Sequence, residues 1–295
     1  ITYAVGYYRA PTFLSGVADE THDDYDAVTI YGVGDYCIVP ELKAVYKSSL
    51  LDNSDNYPPA NPTAWTFWSP LNSYKMLAVD EFIGSKTMGN DVVLEFDFSQ
   101  ATACTMLDCD FVSVLMEQID NSTGEVIHSK RGTGSTFGVL SWYDYFYNPL
   151  NKIYQMHYEG FEWHANSTLR LTFTGAVSIG SLTLGIVRNM GCTLYGTSVT
   201  FEDESSITSS LITGFRKVTR YGYIQVIEAK VRFDTEEFNA IAQTVKRIIG
   251  KNIVFIPTEF DQFSEMIILG YFEKFPIPLD NPAKITTQTT IIGVA

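Results

Sequence analysis

From residue 75 onward the chain breaks into short runs in which apolar and polar residues alternate. The run 92–98 ends in strict alternation, and 111–119, 153–158 and 168–173 read the same way. A period of two marks a half-buried strand. Turn residues such as Asn121, Ser122, Thr123 and Gly124 separate the runs. Short strands punctuated by turns predict an antiparallel β-sandwich of about 120 residues, placed at 75–198.

The pattern changes in the last third. Phe238, Ile241, Ala242, Val245, Ile248 and Ile249 fall on one helical face. Asp234 stands where a cap is wanted, with Glu237 three residues later in capping-box position and Gly250 as the terminator. Strand-like runs flank this helix at 223–233, 252–256, 265–275 and 285–294. Residues 199–295 therefore read as an α+β unit with one helix.

The first segment, 1–74, is rich in Asp, Tyr and Pro and holds short strand-like pieces at 35–39 and 44–50. Pro58, Pro59 and Pro62 exclude a central strand or helix interior. Residues 57–62 are expected to be an extended connector leading into Trp65 and Trp68. The fold class is mainly β: a small aromatic β module, a central antiparallel sandwich, then an α+β module.

Composition agrees with packed cores. Of 295 residues, 45 % are hydrophobic and 14 % aromatic, which excludes a disordered chain. At about 150 residues per domain, two domains or three small ones are expected. No apolar run reaches the roughly 18 residues of a membrane span. Residues 1–18 carry Arg9 and Pro11 and lack a basic start followed by an apolar block, so they do not read as a signal peptide.

The net charge of −14 argues against direct nucleic-acid binding, because phosphate affinity rests on Lys and Arg. Acidity is uneven. Segment 1–74 has three basic and nine acidic residues, whereas 211–251 has eight basic and four acidic. Arg216, Lys217, Arg220, Lys230, Arg232, Lys246, Arg247 and Lys251 supply that local excess. It reads either as a mixed solvated face or as a contact with an acidic neighbouring subunit. Cys37, Cys104, Cys109 and Cys192 do not make a disulfide framework and read as buried free thiols.

Catalytic and metal signatures do not emerge. His22, His128, His157 and His164 show no helical metal-ligand spacing, and no HExxH, P-loop, dinucleotide fingerprint or nucleophile elbow occurs. Gly132, Thr133 and Gly134 read as a flexible loop. Asp19, Glu20, Asp23, Asp24 and Asp26 lack the spacing and glycine of an EF-hand and read as a solvated acidic loop. Asn121 and Asn166 begin glycosylation sequons by pattern. No metal or cofactor is implied. A carboxylate pair for glycoside hydrolysis is a spatial property that sequence does not reveal.

The most informative constellation is aromatic. Tyr25, Tyr31, Tyr46, Tyr57, Trp65 and Trp68 lie within 44 residues, amid turns. Each ring serves either the core or a flat binding platform for planar ligands, sugars or protein partners. Tyr31, Tyr46, Tyr57, Trp65 and Trp68 are the platform candidates. Trp65 and Trp68, three apart on an extended strand, face opposite sides, so one of the two is the better candidate for exposure.

Tyr31, Gly32, Val33, Gly34 and Asp35, then Val45, Tyr46, Lys47 and Ser48, then Pro58, Pro59 and Trp65 resemble the small chitin-binding-type carbohydrate-binding module. That module has a YxxGD turn, a Tyr-bearing second strand, and a closing Pro and Trp. Tyr25 stands where it commonly has Trp. The same arrangement resembles the start of a group of tailed-bacteriophage virion proteins. In those proteins a short hydrophobic–Asp motif follows, loosely matched from Tyr74 to Asp80, and then a β-sandwich similar to galactose-binding jelly rolls. That sandwich carries a Gly-rich stretch near its end, matched by Ile179 to Gly185 and by Leu194, Tyr195 and Gly196. A C-terminal strand–helix–strand unit with a Gly-Tyr/Phe strand closes the pattern, matched from Gly270 to Phe275.

The resemblance implies a non-enzymatic virion component of the tail, baseplate or collar. It implies assembly in the host cytoplasm into a symmetric ring with copies of itself and neighbouring virion proteins. The alternatives are a carbohydrate-binding protein for host-surface glycan and a glycan-cleaving enzyme.

Overall fold

The computed structural model describes residues 2–7, 11–78, 84–99, 101–136, 142–147, 151–209, 216–219, 223–258, 261–278 and 283–294. The architecture is mainly β, with curled antiparallel sheets of sandwich type. One large sheet forms the body. Its path runs Cys192–Thr193, Tyr223–Asp234, Lys284–Gly293, Ile268–Lys274, Ile253–Ile256, Thr2–Tyr7, Ala176–Asn189, Thr87–Asp97, Ser167–Thr174, Ser113–Asp120 and Val126–Thr133. Ala103–Asp110 pairs with both Ala176–Asn189 and Met156–Glu159.

Alternation does here what a period of two demands. In Ser167–Thr174, Leu169, Leu171 and Phe173 are buried while Thr168, Arg170 and Thr172 are not. Arg170 faces Glu95 across the sheet, Nε to Oε1 at 2.7 Å. The inward rings of Phe96, Phe98 and Phe173 join Leu94, Met106, Met116 and Ile179 in the sandwich core. Full burial of each such side chain stabilises the fold by roughly 1.5–3 kcal/mol.

The C-terminal unit has its own core. Ile227, Val231 and Phe233 from Tyr223–Asp234 meet Ile241, Val245 and Ile248 from the helix Phe238–Ile248. The helix stripe is narrower than its sequence suggested: Ile249 lies just past the last turn and is exposed. Asp234 stands at the N-cap of a 3-10 turn, Thr235–Glu237, that precedes the α-helix, and makes no side-chain cap bond. Gly250 follows with φ 76°, the left-handed conformation glycine adopts without penalty.

Two features depart from the sequence-based boundaries. Thr2–Tyr7 and Phe13–Val17, assigned by sequence to the first module, belong to the large sheet. Thr2–Tyr7 pairs with Ala176–Asn189 on one side and Ile253–Ile256 on the other, so the central and C-terminal units share one hydrogen-bonded sheet. Phe13–Val17 pairs with Thr87–Asp97. Residues 57–62 also differ, since Pro58–Ala60 forms a 3-10 turn rather than an extended connector. The fixed φ of proline suits the first positions of a helical turn, where no N–H is required.

What remains of the first module is a separate three-stranded antiparallel sheet, Tyr36–Val39, Ala44–Ser48 and Trp65–Pro70. Asn72 fastens it to the body. Its side-chain amide donates to the carbonyls of Ala18 and Met88, at 2.9 and 2.8 Å, and its Oδ1 accepts from Met88 N–H at 2.9 Å.

Candidate functional site: two aromatic faces on the first module

The loops of the module are held by polar side chains at their turns. Asp26 accepts from Val28 N–H and from the Thr29 hydroxyl, both at 3.1 Å, and Asp35 accepts from Gly32 N–H at 2.6 Å. Tyr31 and Asn53 exchange backbone hydrogen bonds of 2.9 Å in each direction, zipping two loops together. The Asn53 amide is buried and donates to Ser48 Oγ and the Ala64 carbonyl. These bonds leave the buried amide satisfied, as burial requires.

On one side of the sheet the rings form the module's core. Trp65 is 2 % exposed and donates its indole N–H to the Asn56 carbonyl at 2.7 Å. Tyr31 packs edge-on against it at 5.0 Å and accepts the Asp26 N–H on its hydroxyl at 2.9 Å. Cys37 and Ala64 complete this core, with Tyr25 and Tyr46 packed against it. Burial pushes the Cys37 thiol up to about 11 and raises the phenols of Tyr25, Tyr31 and Tyr46. Cys37 is therefore a neutral packing residue at ordinary pH. Tyr57 is exposed at the rim and touches Tyr25 edge-on at 5.7 Å.

The other side carries a different group. Trp68 is 54 % exposed, and the strand pairing steps over it: Phe67 pairs with Tyr46 and Ser69 with Val45. Such an irregularity re-aims a side chain. Tyr36 meets Trp68 edge-on at 5.3 Å, and His22 stacks on Tyr36 at 4.7 Å. Lys47, directly across from Tyr36, sets its ammonium 4.9 Å from the Trp68 ring centre and 5.4 Å from that of Tyr36. A cation over an aromatic face is attracted by the ring quadrupole.

The five sequence candidates therefore divide. Tyr31 and Trp65 are core residues and offer no platform, because the loop zipper and the indole hydrogen bond draw them inward. Tyr46 is half-buried against Phe67, Tyr57 lies on the rim of the same side, and Trp68 alone of the five faces the opposite side. His22, Tyr36 and Lys47 were not among the candidates. Only the Tyr36–Lys47 register brings them to Trp68, and that pairing has no local sequence signal.

No protein-family model and no curated protein matches the chain.

Among the described residues, several other chemistry-bearing side chains are engaged in the fold. His157 Nδ1 lies 2.8 Å from Thr105 Oγ1, whereas His164 approaches Asp120 at 3.9 Å. Burial lowers the His157 pKa to about 4. Among the described residues no three His, Cys, Asp or Glu side chains gather to hold a metal ion. Cys104 and Cys109 are buried, and burial pushes both thiols up, Cys104 to about 12, whereas Cys192, on the short strand Cys192–Thr193, is exposed rather than buried. Asn121 donates its amide to Asn166 at 3.1 Å, tying the two sequon turns to each other. Gly132 and Thr133 are strand residues rather than a loop, and a Cβ on Gly132 would meet Met156 Sδ at 2.7 Å. Among the described residues no helix is long and apolar enough to cross a membrane.

The matches further along the chain also have places. Met76 of the hydrophobic–Asp motif is buried in the turn Lys75–Leu77, while Val79 and Asp80 lie outside the described residues. The Gly-rich stretch 179–185 lies within the long strand Ala176–Asn189, and 270–274 within Ile268–Lys274. The first module is thus a three-stranded sheet with one side closed by its own rings and the other carrying the indole of Trp68, the phenol of Tyr36, the imidazole of His22 and the ammonium of Lys47.

Proposed function

We propose that the chain is a non-enzymatic structural component of a tailed-phage virion, of the tail, baseplate or collar, that assembles into a symmetric oligomer. The carrying observation is the exposed Trp68 with half-buried His22, Tyr36 and Lys47 around it, on a sheet whose opposite side is closed by Trp65 and Tyr31. Tryptophan and tyrosine are the residue types that anchor protein interfaces. The resemblance of the module to the start of tailed-phage virion proteins gives the setting. In this reading the body of the chain contacts its neighbours, and the array takes an adjoining virion protein.

Native mass spectrometry and negative-stain imaging of the purified chain test the reading. Closed rings are the expected result; a strict monomer at micromolar concentration overturns it.

A second reading has the same array hold a host-surface glycan. The stacked His22–Tyr36 pair favours it, since aromatic faces complement the apolar faces of sugars. A glycan array probed with the whole chain and with Trp68→Ala separates the two readings. Binding that disappears in the variant supports glycan recognition, and silence with intact rings supports the structural role.

A further inference from the structure

The zipped loops of the first module expose an unusual amount of aliphatic surface. Val28 is 86 % exposed and Leu51 75 %, and Ile30, Val33 and Leu50 are exposed beside them. The Tyr31–Asn53 bridge and the bond from Asp55 N–H to the Ala27 carbonyl (3.1 Å) hold residues 26–34 and 49–55 together. All five side chains therefore stand on two loops whose backbones are bonded to each other at the tip of the module. Exposed Asp24, Asp26, Asp52 and Asp55 rim it. An apolar patch with a charged rim marks a protein contact.

The complementary surface is on the same chain. The helix Phe238–Ile248 ends in Lys246 and Arg247, followed by Ile249 and Lys251, and all four side chains are exposed. Ile249, 54 % exposed, sits among three cations. One surface carries several exposed aliphatic side chains among aspartates, and the other a single exposed isoleucine in a segment with three cations. The two differ, so their contact is heterologous and runs head to tail, an arrangement that forms a ring where its rotation closes.

We infer that the acidic aliphatic tip around Ile30 and Leu51 docks on the basic end of the helix Phe238–Ile248 of a second copy of this chain. The inference rests on the self-assembly reading above and names its interface. Charge complementarity sets the register and speeds encounter, and the aliphatic centre supplies the burial.

Charge reversal in both directions tests it on the full chain. Lys246→Glu with Arg247→Glu makes one variant, and Asp52→Lys with Asp55→Lys the other. Both aspartates have positive φ (56° and 55°), a conformation that Lys43 already adopts in this module at 53°. Thermal melts establish that each variant is folded. Each alone is expected to self-associate at least tenfold more weakly than the parent chain. An equimolar mixture is expected to recover assembly as mixed oligomers, because the unchanged tip of one variant meets the unchanged helix end of the other, and at the alternate contact the introduced lysines meet the introduced glutamates. Parent-like assembly of either variant alone overturns the inference while leaving self-assembly standing. So does failure of two folded variants to associate when mixed. A parent chain that stays monomeric overturns the assembly reading itself.

Discussion

Trp65 and Trp68 sit three residues apart on one strand and serve opposite ends: Trp65 closes the module's core and Trp68 meets solvent on the other side of the sheet. The odd spacing favours the split, and the register shift that leaves Trp68 without a cross-strand partner aims its ring away from the core. Burial then assigns their roles. Trp65 has an indole acceptor at Asn56 and a ring partner in Tyr31, whereas Trp68 has Tyr36 on one edge and Lys47 above it.

The two residues should answer truncation very differently. Trp65→Ala removes a filled core position and is expected to cost about 3–5 kcal/mol, unfolding the small module at low denaturant. Trp68→Ala removes an exposed ring and is expected to cost less than about 1 kcal/mol. Urea titrations followed by near-UV circular dichroism compare them. Equal losses would show that the array around Trp68 is structural after all.

His157 predicts a pH dependence. Its Nε2 is buried without a hydrogen-bond partner, and burial depresses its pKa from 6.5 to about 4. Glu159, 3.9 Å away and partly exposed, favours the charged form, but desolvation prevails. Between pH 6.5 and 4 the unfolded chain takes up this proton and the folded chain does not. Stability from this residue is full above pH 6.5 and falls as the pH drops toward 4, by on the order of 3 kcal/mol. His157→Gln keeps an acceptor for Thr105 and removes the titration. Melting temperatures at pH 7 and pH 4.5 should therefore differ less in the variant than in the parent chain.

Much of this fold is legible in the sequence because much of it is half-buried. Ser167–Thr174 and Tyr223–Asp234 alternate, and the helix Phe238–Ile248 shows its stripe, because each has one face in a core and one in solvent. Ala103–Asp110 escapes the same reading. Cys104 and Met106 face the sandwich core while Leu107 packs against Val254 and Leu269, so both faces are apolar and the period of two disappears. Thr2–Tyr7 escapes because its role is set by partners some 180 and 250 residues away in sequence. The site was half legible: aromatic density singled out the module, but only strand register distinguishes Trp68 from Trp65.

Gly270 is a place where packing leaves room for no side chain. A Cβ there would lie 2.2 Å from the Ile292 carbonyl oxygen and 2.9 Å from its carbon, both backbone atoms of the neighbouring strand. Backbone cannot swing away as a flexible side chain can. Gly270→Ala is expected to force apart Ile268–Lys274 and Lys284–Gly293 and to cost about 3 kcal/mol or more. A denaturant midpoint like that of the parent chain would refute the close approach.

The seam at Thr2–Tyr7 makes the sharpest prediction about cooperativity. Ala4 pairs with Val187 of the central unit and with Val254 of the C-terminal unit. Proline at that position removes a backbone donor from the middle of the sheet and fixes φ away from the strand value, a cost of about 3 kcal/mol or more. The cost falls on the connection between the two units rather than on either core, so their unfolding should separate. All four tryptophans, Trp65, Trp68, Trp142 and Trp163, lie before residue 199, whereas the helix Phe238–Ile248 lies after it. Tryptophan fluorescence thus reports the first two units, and ellipticity at 222 nm is weighted toward the last. In the parent chain the two signals should change together. In Ala4→Pro the helical signal should be lost at lower denaturant than the fluorescence change, while Ala4→Ser, which keeps the N–H, should behave as the parent does. Coincident transitions in the proline variant would mean that side-chain packing of Leu107 against Val254 and Leu269, rather than the shared strand, joins the two units.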